Sequence, residues 1–139
     1  MIVVNTNVIF EMMREDPDPA VLAWAATAGR LHTTSITLAE VEYGIARLPA
    51  GRRRDLLAAT AAEVFGDFQD VILPFETRAA RRYGTIVADS EASGHPIAMA
   101  DAQIAAVCAA REAILATRNT SDFTGTGIEL VNPWQAPPR

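Results

Sequence analysis

The residues in this 139-residue chain best suited to chemistry carry oxygen and lie far apart in sequence. Asn5 follows the apolar run Ile2-Val3-Val4, and Glu40 and Glu42 lie in a helical stretch. Asp101 precedes an apolar helix-like segment, and Asn119 and Asp122 follow the run Ala113 to Thr117. Each stands after a strand-like run or early in a helix. In an open α/β sheet such points converge on the crevice beyond the carboxyl ends of the strands, where ligands bind. Carboxylates and amide carbonyls gathered there suit a hard divalent cation, magnesium or manganese. Such ions take oxygen donors, usually one or two direct carboxylates, with water completing the shell.

Each of these residues also has an ordinary structural role. Asp101 stands where a helix N-cap is the default reading. Asn119 and Asp122, within Arg118-Asn119-Thr120-Ser121-Asp122, are common turn and cap residues. Asn5 could simply hydrogen-bond the loop that leaves its strand. Glu40 shares a helical face with Ile36 and Tyr43, and Glu42 is flanked by Leu38 and Ile45, so periodicity does not choose between them. Other chemistries have less support. His32, His95 and the single Cys108 lack zinc-site spacing and the histidines read as loop or surface residues. No glycine-rich nucleotide-binding loop is present. Cys108, among Ile104, Ala105, Val107 and Ala109, reads as core packing, as do Trp24 and Trp134.

The elements that must position these residues alternate in the manner of an α/β domain with a mainly parallel sheet. Strands are expected at 2–4, 31–34, 71–74, 113–117 and 128–131. Helices are expected at 8–14, from the Asp16-Pro17-Asp18-Pro19 break through Trp24, and at 37–48, 52–65, 77–93 and 101–111. The helices at 37–48 and 52–65 suggest a hairpin closed by Pro49-Ala50-Gly51. One domain, residues 1–139, accounts for the pattern.

Hydrophobic residues make up 50% and charged ones 21%, and no apolar run approaches the roughly 20 residues of a membrane-spanning helix. The chain is therefore expected to be soluble, with no membrane partner. Its apolar start lacks a basic region and a cleavage site, and one cysteine forms no internal disulfide, which fits a reducing cytoplasm. The net charge of −5 argues against broad attraction to nucleic acid, so a nucleic-acid role requires a local basic patch. All basic residues are Arg, a bias more simply read as coding preference than as phosphate recognition. Arg52-Arg53-Arg54 and Arg78, Arg81 and Arg82 are local clusters whose default reading is a solvated helix face.

Taken in order, several fragments resemble the PIN-domain ribonucleases, specifically the VapC-type toxins of bacterial toxin–antitoxin pairs and their FitB-like branch. They are Met1-Ile2-Val3-Val4-Asn5-Thr6-Asn7-Val8-Ile9, Ser35 to Gly44, Ile72-Leu73-Pro74-Phe75, Met99 to Ala106, Ala116 to Phe123 and Asn132-Pro133-Trp134. The resemblance spans the chain and implies a three-layer α/β/α sandwich. It also implies an acidic pocket holding Mg2+ or Mn2+, which would activate water for attack on an RNA phosphodiester. It selects Glu40 over Glu42 and assigns Asp101 to the metal site rather than to a cap. It points to Asp122 as the remaining acid, with Asn119 its polar neighbour.

The chain departs from the family at its first motif, where Asn5 stands in place of an Asp before Thr-Asn. The exchange is nearly isosteric but removes a charge and a strong oxygen ligand, so the fold should survive and activity should not. Two origins fit, a deliberate inactivating exchange and a natural loss of catalysis, and the intact remaining motifs speak for the former. The resemblance further implies a VapB-type antitoxin partner whose C-terminal segment covers the acidic pocket. It implies RNA as substrate, DNA contact only through the antitoxin, and a homodimer. A non-catalytic antitoxin-binding module in a promoter-binding repressor complex would use the same fold.

Overall fold

The computed structural model describes residues 1–68 and 71–135. Short runs rich in β-branched and aliphatic residues form the strands β1 (Ile2–Val4), β2 (Leu31–Thr34), β3 (Ile72–Leu73), β4 (Ile114–Ala116) and β5 (Glu129–Val131). The helices are α1 (Thr6–Met12), α2 (Pro19–Thr27), α3 (Ser35–Ala46), α4 (Arg52–Gly66), α5 (Thr77–Ala92) and α6 (Met99–Arg111). The strands form one sheet in the order β3-β2-β1-β4-β5. All pairs are parallel, with Ile2 opposite both Leu31 and Ile114, Thr33 opposite Ile72 and Leu115 opposite Leu130. The chain builds outward from β1 to β3, then returns to β1's other side for β4. That reversal opens a crevice at the carboxyl ends of β1 and β4, the switch point where such sheets bind ligands.

Alternation along β1 sends Val3 and Val4 to opposite faces. Val3, Leu73 and Leu115 pack with Ile86 of α5, Ile104 and Val107 of α6, and Phe123. Val4 and Ala116 pack with Ile9 of α1, Val41 of α3 and Phe65 of α4. Helices thus cover both faces, as expected of a three-layer sandwich. Helix α6 touches both the sheet and α5, so it is buried continuously from Ile104 to Cys108. This double contact explains its almost wholly apolar sequence.

Three helices begin two residues before the point where hydrophobic periodicity places them. Asn5 and Thr34 end their strands in extended conformation and cap α1 and α3 directly, the Thr34 hydroxyl accepting from the Thr37 N–H at 3.1 Å. Capping by the last strand residue leaves no loop, and periodicity does not register that first turn. Helix α6 starts at Met99 with Ala98 as its cap residue, so Asp101 lies inside the first turn and does not cap the helix. The expectation of a loop or surface position for His32 is corrected: it lies in β2, half-buried, paired with Val3. Burial and the neighbouring Arg30 lower its pKa.

Candidate active site

Asn5 sits at the switch point, 5% exposed, where its own N–H bonds to the Ala116 carbonyl of β4. Its Oδ1 accepts from the Thr6 N–H at 2.8 Å and its Nδ2 donates to Thr117 Oγ1 at 3.0 Å. Thr117, fully buried at the end of β4, is the hub of the crevice. The same hydroxyl oxygen also accepts from Asn7 Nδ2 at 3.2 Å and from the Asn119 N–H at 3.2 Å. Both amide orientations are fixed by backbone donors, since Asn7 Oδ1 accepts from the Arg118 N–H at 3.3 Å. A hydroxyl oxygen has two lone pairs and one proton. Three donors therefore crowd the Thr117 oxygen, and among the described residues that hydroxyl donates to no acceptor.

The acids come from three other elements. Glu40, half-buried on α3, accepts from the Thr6 hydroxyl at 2.6 Å, and Thr6 lies 3.2 Å from the Thr37 hydroxyl. Glu42 is exposed two residues away. Asp101 is half-buried in the first turn of α6, and Asp122 is exposed in a 3-10 turn, Thr120–Phe123. Burial, then the charges of Asp122 and of Glu40, raise the Asp101 pKa to about 6 from 3.8. The fold thus brings Glu40 and Asp122 within electrostatic reach of Asp101. Asn119 precedes the turn, exposed, and contributes its backbone N–H, not its side chain, to the Thr117 hub.

Donors this hard and this uniformly oxygen-based fit magnesium or manganese rather than zinc. Mutual repulsion at Asp101 is what a divalent cation would relieve. Among the described residues no three His, Cys, Asp or Glu side chains stand close enough together to hold a metal ion. Glu40, Asp101 and Asp122 are the available carboxylates, and position 5 offers only an amide oxygen.

Spacing alone did not single out the hydroxyl and amide network of Thr6, Asn7, Thr37 and Thr117. The available signal was a polar residue ending an apolar strand, Thr117, at the level of Asn5. A cavity of about 440 Å³ lies elsewhere, at the amino ends of β4 and β5, and includes Arg82, Asp89, Glu112 and Glu129. The acidic residues lie instead beyond the carboxyl ends of β1 and β4. Cys108 is buried, its thiol pushed up to about 12 by burial, which leaves it unreactive. Arg78 hydrogen-bonds the Ala110 carbonyl at 2.8 Å, tying α5 to the last turn of α6.

Comparison with known proteins agrees with this architecture. The PIN domain family matches residues 2–127. The VapC ribonuclease Y4jK of Sinorhizobium fredii is 41% identical over 138 residues, covering 97% of this chain and 99% of that protein. Toxin FitB of Neisseria gonorrhoeae is 33% identical, covering 96% of this chain and 99% of the toxin. The structure of FitAB bound to an IR36 DNA fragment superposes with a TM-score of 0.88 at 32% identity, covering 99% of this chain and 98% of that one.

Proposed function

This chain belongs to the PIN-domain family, and on that premise we propose that it is the toxin subunit of a toxin–antitoxin pair. Its activity is divalent-metal-dependent hydrolysis of RNA phosphodiester bonds, held in check by Asn5. The observation that supports this is the imbalance at Thr117. A carboxylate at position 5 would remove the excess donor and accept the Thr117 hydroxyl proton, leaving two donors on two lone pairs. It would also keep the Thr6 N–H bond. The surroundings of position 5 therefore suit an aspartate better than the asparagine they contain.

When bound, the divalent ion would polarise the phosphodiester and lower the pKa of a bound water. Glu40, Asp101 and Asp122 would hold it, with an Asp at position 5 completing the set. The Thr6 hydroxyl fixes Glu40, and the Thr117 hub fixes position 5 and the turn leading to Asp122. Asp101 must be ionised to serve, so proton and metal compete for it at mildly acidic pH.

The partner is a VapB-type antitoxin, as the complexes of related toxins suggest, with DNA bound through that antitoxin. Homodimerisation and a cytoplasmic setting belong to the same proposal. Asn5 also favours a second function for the chain as it stands: a non-cutting subunit that binds antitoxin within a repressor complex. The deciding experiment adds Glu40→Gln or Asp101→Asn to Asn5→Asp and measures RNA cleavage with magnesium or manganese, alongside circular dichroism. Cleavage by Asn5→Asp, abolished in both double variants with the fold retained, is the expected result. Undiminished cleavage in either would remove that acid from the site.

A further inference from the structure

We propose that Arg118, held over the ring of Trp134 at the rim of the acidic crevice, binds a phosphate of the RNA strand; this rests on the nuclease function proposed above. Arg118 lies between the Thr117 hub and Asn119, and its main chain is fixed on both sides. Its N–H donates to Asn7 Oδ1 at 3.3 Å, and its carbonyl accepts from Asn132 Nδ2 at 3.4 Å. Asn132 in turn accepts from the Trp134 N–H at 3.0 Å. The indole packs partly into the core shared by α1, α3 and α4. Above it lies the guanidinium, its carbon 5.1 Å from the ring centroid.

The Arg118 side chain is exposed, and among the described residues no acid pairs with it. Among the described residues the one ion pair is Arg14 with Glu11. Two other arginines are placed elsewhere: Arg78 is bound to the Ala110 carbonyl, and Arg82 lines the cavity at the amino ends of β4 and β5. A chain of net charge −5 with an acidic crevice repels a polyanion, so the strand needs a cation beside the site to be drawn in. A guanidinium stacked on an indole keeps its hydrogen-bonding edge free and loses little side-chain entropy on meeting a phosphate.

The test uses the chain with Asn5 retained and a labelled single-stranded RNA oligomer, with affinity measured against salt at constant magnesium. Arg118→Ala is expected to reduce the slope of log K against log salt by ~0.7, the release expected for one phosphate contact on a single strand. Arg118→Lys should keep the slope and lose part of the affinity, because it retains the charge but not the stacked fork. Thermal melting of each variant separates lost contact from lost fold. An unchanged slope for Arg118→Ala, with the parent still binding RNA, overturns the proposal and leaves the nuclease function standing. If neither the parent nor Asn5→Asp binds RNA, the nuclease function fails and takes this proposal with it.

Discussion

Replacing Asn5 with Asp should restore a metal ligand without disturbing the fold. The side chain is 5% exposed and already makes two hydrogen bonds, both of which a carboxylate can keep once the Thr117 hydroxyl turns to donate. The change in energy is therefore electrostatic, and its sign depends on metal. Without metal, the new charge joins a cluster in which Asp101 is already raised to about 6. We expect a loss of about 1 kcal/mol, a few degrees in Tm, because the two charge-assisted hydrogen bonds offset part of the repulsion. With metal, one unit charge ~4 Å from a divalent cation at an effective dielectric of ~20 contributes about 8 kcal/mol. Subtracting the attraction of the amide carbonyl and the several kcal/mol that desolvating a buried carboxylate costs leaves about 3 kcal/mol, or roughly a hundredfold in Kd. Isothermal titration of manganese and magnesium into both proteins measures that factor. Equal cation affinity in the two forms would refute position 5 as a ligand. Tighter binding without cleavage of any RNA tested would keep the ligand and refute the nuclease.

Asp101 has a folded-state pKa of about 6 against an ordinary 3.8, so the folded state holds that proton more tightly. Metal-free stability should therefore fall as pH rises from about 4 to about 6, and the penalty should be complete above that range. Asp101→Asn should stabilise the metal-free protein by about 1 kcal/mol near pH 7, after discounting for partial exposure, and by little near pH 4. Equal gains at both pH values in thermal melts would contradict the assigned cause. Glu112 ends α6 at φ 53, a left-handed conformation that costs a side-chain-bearing residue about 1 kcal/mol. Glu112→Gly should raise Tm by about 3 °C, and a lower Tm would show that its carboxylate stabilises the fold more than its backbone strains it.

The elements were largely legible in the sequence because strand alternation, helical periodicity and the Pro and Gly breaks are local. The helix starts were not, because Asn5 and Thr34 serve at once as strand ends and caps. The site was legible only as separate candidates. Periodicity leaves Glu40 and Glu42 equivalent, whereas packing of α1 against α3 puts Thr6 on Glu40 and leaves Glu42 in solvent. Local spacing made Asp101 a cap, yet α6 begins earlier and turns that carboxyl toward Asp122 and Glu40. Sequence by itself determined the α/β alternation, the scarcity of other chemistries and the presence of an amide at position 5. Only the tertiary structure decided what surrounds that amide, because Asn5 meets Thr117, and Asn7 and Asn119 meet the same hydroxyl. Those residues reach Asn5 through the parallel pairing of β1 with β4 and the loops that leave the two strands. Hydrogen-bond valence is a property of neighbours in space, and most of these neighbours lie more than a hundred residues apart along the chain.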